Sequence, residues 1–175
     1  MHNYSKDLQE ANWLFSDNIK MQQLSQNEQK WLLLSSSLTK QLRVHFGPVE
    51  VRVLSECWLT NLAESEKCLF WGYERFWCRE VLLHIQNKPL IFARTLMPEG
   101  FLLQHLELQR LGNRALGEWL FSQQNRVRKI LQWAKIDGLQ HDTYARRALV
   151  EVNTYPMMVA ELFLEPQIFT EEVHG

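Results

Sequence analysis

Two stretches of this chain read as antiparallel hairpins, and they restrict the possible folds more than any other feature. The first runs from Phe76 to Ile85, reverses through Gln86-Asn87-Lys88-Pro89, and returns through Leu90 to Leu96 before Pro98. The second runs from Ala145 to Val152, reverses through Asn153-Thr154-Tyr155-Pro156, and returns through Met157 to Leu164 before Pro166. Their strands are rich in β-branched and aromatic residues, which suit a pleated, half-buried surface. Each turn carries an Asn, whose short side chain bonds to nearby backbone and tolerates the conformations a reversal demands. An antiparallel sheet is the consequence.

Helical signals flank these hairpins. Trp31, Leu34, Leu38 and Leu42 recur at spacings of three and four between Gln26 and Phe46, which predicts a helix with one apolar face, interrupted at Ser35-Ser36-Ser37 and stopped by Gly47-Pro48. Val49, Val51 and Val53 alternate with other residues and predict a further strand. Gly100 to Gly112 reads as a second helix, carrying Leu103, Leu106 and Leu108. Strands in hairpins with helices between them predict an α+β fold, with helices gathered on one face of the sheet. A chain of 175 residues with 46% hydrophobic content has the size and core material for one domain.

Composition excludes several classes of function. The formal net charge is -1, so no nucleic-acid partner is expected, and Arg126, Arg128 and Lys129 read as a solvated face. Asp7, Glu10 and Asp17 interrupt the N-terminal segment, and no run approaches the roughly 18 apolar residues of a membrane span, so a cytoplasmic protein with no membrane partner is expected. Cys57, Cys68 and Cys78 lack disulfide or zinc spacing, and the six histidines lack metal-binding spacing, so no metal is expected.

The chemically suggestive positions are charges among apolar neighbours. Arg79 alternates with Trp77, Val81, Leu83 and Ile85; Arg94 stands between Phe92 and Leu96; Glu161 alternates with Met157, Val159 and Phe163. An unpaired buried charge is costly, so each requires an internal partner or a ligand. A structural salt bridge of Arg79 or Arg94 with Glu161 or Glu80 satisfies the pattern equally well, and strand parity does not say which face points inward. Guanidinium forks suit carboxylate ligands and a lone Glu accepts from a hydroxyl, so a small anion bearing a hydroxyl group is the ligand class implied.

The ordered segments carry a resemblance. Trp31-Leu32-Leu33-Leu34 with Leu38-Thr39-Lys40, then Phe76-Trp77-Cys78-Arg79-Glu80-Val81-Leu82-Leu83, then Ala93-Arg94-Thr95-Leu96-Met97-Pro98, resemble successive motifs of the chorismate pyruvate-lyase (chorismate lyase) family. Leu108-Gln109-Arg110-Leu111-Gly112, Leu116-Gly117-Glu118-Trp119-Leu120-Phe121 and Glu161-Leu162-Phe163-Leu164 continue the series to Pro166. Leu38 stands where the family pattern has Met, and Ser35-Ser36-Ser37 replaces a more acidic stretch.

The resemblance implies a six-stranded antiparallel sheet with helices on one side and an internal ligand cavity. It implies one domain over residues 1–175, with 1–25 an N-terminal extension and 167–175 a tail, and a monomer rather than an oligomer. The implied reaction is cofactor-independent elimination of pyruvate from chorismate to leave 4-hydroxybenzoate, which in the family serves ubiquinone biosynthesis in the cytoplasm. Arg79 would grip the ring carboxylate with backbone groups at Leu38 and Leu116, and Glu161 would meet the hydroxyl, either as a hydrogen-bond acceptor or as a base in the aromatising step. Arg94 or Arg147 would take the enolpyruvyl carboxylate. The alternative is a non-catalytic module of the same fold that binds an aromatic acid or effector, as in certain bacterial transcription regulators.

Overall fold

The computed structural model describes residues 2–174. Both hairpins form: β3 (Phe76–Ile85) with β4 (Lys88–Pro98), and β6 (Thr143–Val152) with β7 (Tyr155–Phe163). The turns are tighter than the sequence suggested. Asn153 and Thr154 alone link β6 to β7, with φ of 50° and 72°, and Gln86 at φ 55° helps link β3 to β4. Positive φ at both central residues matches the turn whose twist suits adjoining strands. Pro89 and Pro156 then fall inside their strands, paired with His84 and Glu151.

With β2 (Glu50–Leu59), β5 (Arg126–Ile136) and β1 (Leu14–Phe15), these strands build one antiparallel sheet in the order β1-β5-β6-β7-β4-β3-β2. The sheet therefore has seven strands, not six. Neither β5 nor β1 is among the strands read from the sequence; β1 pairs Leu14 with Trp133 and Phe15 with Gln132. Two residues are too few for alternation to show.

The predicted helix over 26–46 is two helices, α2 (Gln26–Leu32) and α3 (Leu38–Phe46). The serines explain the break, because Ser37 accepts from the Lys40 amide and caps α3. Ser25 and Glu28 form a reciprocal capping box at the start of α2, with the Glu28 amide 3.1 Å from Ser25 Oγ. Ser25→Ala is expected to cost about 1 kcal/mol, read as a lower urea midpoint at unchanged slope. The predicted helix over 100–112 divides into α5 (Glu99–Gln104) and a 3-10 turn (Leu106–Arg110), leaving Leu103 and Leu106 exposed.

Helices cover both faces of the sheet, which corrects the one-sided arrangement. Trp31 and Leu32 of α2 and Leu38 and Leu42 of α3 pack on Val81, Leu83, Ile91 and Phe163. Phe101 and Leu102 of α5 and Leu120 of α6 (Leu116–Ser122) extend this layer over Met97 and Met157. The opposite face, with Cys78, Phe92, Leu96, Ala160 and Leu162, is closed by Leu8 of α1 (Tyr4–Glu10) and by Leu62 and Phe70, which flank α4 (Glu64–Lys67). Both parities of β4 and β7 are apolar, so each face must be kept from water. No helix among the described residues is long and apolar enough to cross a membrane.

Candidate active site

A row of paired residues crosses the sheet beneath α3 and α6. Glu56 on β2 pairs with Arg79 on β3, Arg79 with Thr95 on β4, Thr95 with Val159 on β7, and Val159 with Ala148 on β6. Residues directly opposite in antiparallel strands project to the same side, so Arg79 and Val159 share a face. Glu161 lies two residues beyond Val159 and joins them. Strand spacing and rise place the Arg79 and Glu161 Cα atoms about 12 Å apart.

Arg79 is only 2% exposed. Its guanidinium forms an ion pair with Glu56 and donates to the carbonyls of Gly112, at 2.6 Å, and Arg114, at 3.2 Å. Gly112 has a φ of 57°, the left-handed region glycine enters without penalty, and this bend turns its carbonyl toward the arginine. Leu116, the first residue of α6, and Thr39, near the start of α3, line a hollow of about 40 Å³ beside Arg79. The two helix starts lie close together: a Cβ on Gly117 would be 3.7 Å from both Ser37 Oγ and Thr39 Oγ1. Leu38, buried, opens α3 at the same junction. Unpaired amides at helix starts favour anions, as does the arginine.

A second hollow of about 80 Å³ surrounds Glu161 and is lined by Leu34, Ser36, Arg128, Arg146 and Val150. Val159 lines both hollows. Arg146, directly across from Glu161 on β6, donates to its carboxylate at 2.5 Å and to the carbonyls of Trp31 and Leu34 at 3.2 Å each. Arg128 donates to the Leu34 carbonyl at 3.0 Å. Burial and the charge of Arg146 lower the Arg128 pKa from the usual guanidinium range.

Arg94 and Arg147 face the other side of the sheet. Arg94 forms a bidentate pair with Glu66, at 2.6 and 3.0 Å, and meets Glu80 at 2.6 Å and Cys78 Sγ at 3.1 Å. Burial works against its charge, but the hydrogen bonds to Glu66 prevail and its pKa stands above the usual range. Burial also pushes the Cys78 thiol up to about 12, so it is a neutral packing group. Arg147 donates to Gln132 at 2.6 Å and the Ser65 carbonyl at 2.7 Å, and lies over the Trp13 ring at 4.6 Å. Neither reaches the face that holds Arg79 and Glu161.

Sequence reasoning missed Glu56, Arg146 and Arg128. Arg146 was within reach: with only Asn153 and Thr154 in the turn, counting back from Glu161 lands on Arg146. A four-residue turn lands instead on Ala148. Arg128 had no local signal. A bulge between Arg128 and Ile130 brings Arg128 onto the same face as Leu131.

A sequence model of the family described as chorismate lyase matches residues 7–174. A protein of Pasteurella multocida described as a probable chorismate pyruvate-lyase is 52% identical, over 99% of each chain. The chorismate pyruvate-lyase of Pectobacterium atrosepticum is 31% identical, over 77% of this chain and 75% of its own. Among solved structures, the C-terminal domain of the histidine utilization repressor from Pseudomonas syringae is similar in fold alone, with a TM-score of 0.50 at 8% identity, covering 73% of this chain and 97% of that one.

Proposed function

The chain belongs to the chorismate lyase family, and from that premise we propose how its two-ended site splits chorismate into 4-hydroxybenzoate and pyruvate. The observation that carries this reading is that Arg79 and Glu161 lie on one face of one chain, at hollows that meet at Val159. A ring with a carboxylate at one end and a hydroxyl at the other bridges that arrangement. The two hollows merge into one internal cavity when the ring enters, and a monomer suffices because both ends come from the same chain.

Arg79 takes the ring carboxylate by exchanging the carbonyls of Gly112 and Arg114 for it, and the amides at Leu38 and Leu116 add donors. Glu161, held by Arg146, accepts the hydroxyl hydrogen bond at the far end. With both ends fixed, the ether bond breaks and its electron pair leaves with the enolpyruvate oxygen. The ring carbon that bears the hydroxyl loses its hydrogen as a proton, and the C–H electrons complete the aromatic ring. Enolpyruvate gains a proton at its methylene carbon and becomes pyruvate. Atoms and electrons balance without any added oxidant or reductant, so the protein's contribution is orientation, charge compensation and exclusion of water.

Incubation of the purified chain with chorismate is expected to give 4-hydroxybenzoate and pyruvate in equal amounts. Tight binding of 4-hydroxybenzoate with no turnover would instead support the effector-binding alternative. Glu161→Gln keeps the shape and loses the charge-assisted acceptor, and it is expected to lower kcat/KM roughly tenfold to a hundredfold. Unchanged steady-state kinetics for that variant would remove Glu161 from the site.

A further inference from the structure

We propose that Arg128 and Arg146 together hold the enolpyruvyl carboxylate, so that the Glu161 end of the site selects a substrate with a second acid group. This inference rests on the chorismate reading and assigns a part of that site. In chorismate the ether and the hydroxyl sit on neighbouring ring carbons. Once Arg79 holds the ring carboxylate and Glu161 the hydroxyl, the enolpyruvyl arm must extend near Glu161.

Charge at the hollow points the same way. Two guanidinium groups, Arg128 and Arg146, line it together with one carboxylate, Glu161. Arg146 pairs with Glu161, whereas Arg128 has no carboxylate partner among the described residues and donates to a single carbonyl, that of Leu34. Of the other candidate cations, Arg79 is neutralised by Glu56 and Arg94 by Glu66 and Glu80, while Arg147, which has no carboxylate partner among the described residues either, faces the other side of the sheet. An excess positive charge beside another cation is unfavourable, and an anion between the two relieves it.

Geometry supplies the means. The Leu34 carbonyl accepts from both arginines, so one point already lies within reach of both forks. A carboxylate there offers two oxygens and a full charge in place of one carbonyl oxygen. The Ser36 hydroxyl lines the same hollow and can add a donor. The bulge in β5 aims Arg128 inward, and bulges recur where a strand must redirect a side chain.

The test compares two ligands that differ in the enolpyruvyl arm. Arg128 is an exposed residue near a strand end, so Arg128→Gln is expected to stay folded, as circular dichroism would show. Its KM for chorismate is expected to rise at least about tenfold, while the inhibition constant of 4-hydroxybenzoate, which lacks the second carboxylate, changes by less than about twofold. Arg128→Lys is expected to recover part of the loss. An unchanged KM, or equal weakening of both ligands, overturns the clamp while leaving the activity assignment intact. A parent protein that makes no 4-hydroxybenzoate overturns the activity itself.

Discussion

Replacing Arg94 with leucine is expected to cost about 3–5 kcal/mol of folding stability, one of the two largest effects in this molecule. Glu66 is 2% exposed, and with Glu80 it turns toward the single guanidinium of Arg94. Removing the cation leaves two carboxylates without their shared guanidinium; Glu80 keeps some solvent and the Ser5 hydroxyl, whereas the buried Glu66 is left with only the more distant charge of Arg147. Urea denaturation of Arg94→Leu beside Arg94→Leu with Glu66→Leu and Glu80→Met separates causes. The triple variant should recover most of the loss, because removing the whole network also removes the unpaired charges. If the single variant matched the parent in stability, the buried pairing described for this face would be wrong. Its folded fraction should also keep the parent's KM for chorismate, since Arg94 faces away from Val159 and Glu161.

Arg79→Ala is expected to lower kcat/KM at least about tenfold to a hundredfold, because charge-assisted hydrogen bonds from its Nη2 to the substrate carboxylate are lost in a desolvated site. The structural penalty should be smaller than for Arg94. Glu56, the partner left behind, is on the edge strand β2 with a quarter of its side chain reaching solvent, so water can take over part of the pairing. Thermal denaturation together with the chorismate assay reads both quantities. Arg79→Lys keeps the positive charge and loses the fork, so it should recover less activity than a role for charge alone would give. Full activity in a folded Arg79→Ala protein would reject the carboxylate assignment.

These opposite fates of Arg79 and Arg94 show what local pattern reveals. Alternation along β3 and β4 identified both arginines as charges among apolar residues, and both are buried. It also correctly located the four hairpin strands and the break marked by Ser35-Ser36-Ser37, since turns, caps and alternation depend on neighbours in the chain. It did not reveal β1, whose two residues carry no period, nor β5, whose charged start reads as a solvated face, nor the cover that α1 and α4 give the second face. β1 and that cover depend on partners far away in sequence.

Register was the deciding unknown. The chain by itself determined the α+β class, the hairpins, and that Arg79 and Arg94 would be removed from water, because both stand among apolar neighbours on their strands; alternation singled out neither Arg146 nor Glu66, which are buried as well. Only the tertiary structure decided which of them meet. The β3–β4 pairing shifts by one residue between Leu83 and His84. Without that shift Arg79 and Arg94 would lie opposite each other on one face; with it Arg79 pairs with Thr95 and Arg94 with Glu80, on opposite faces. A bulge adds one residue to a strand and reverses the facing of everything beyond it, and its position is set by packing across the sheet.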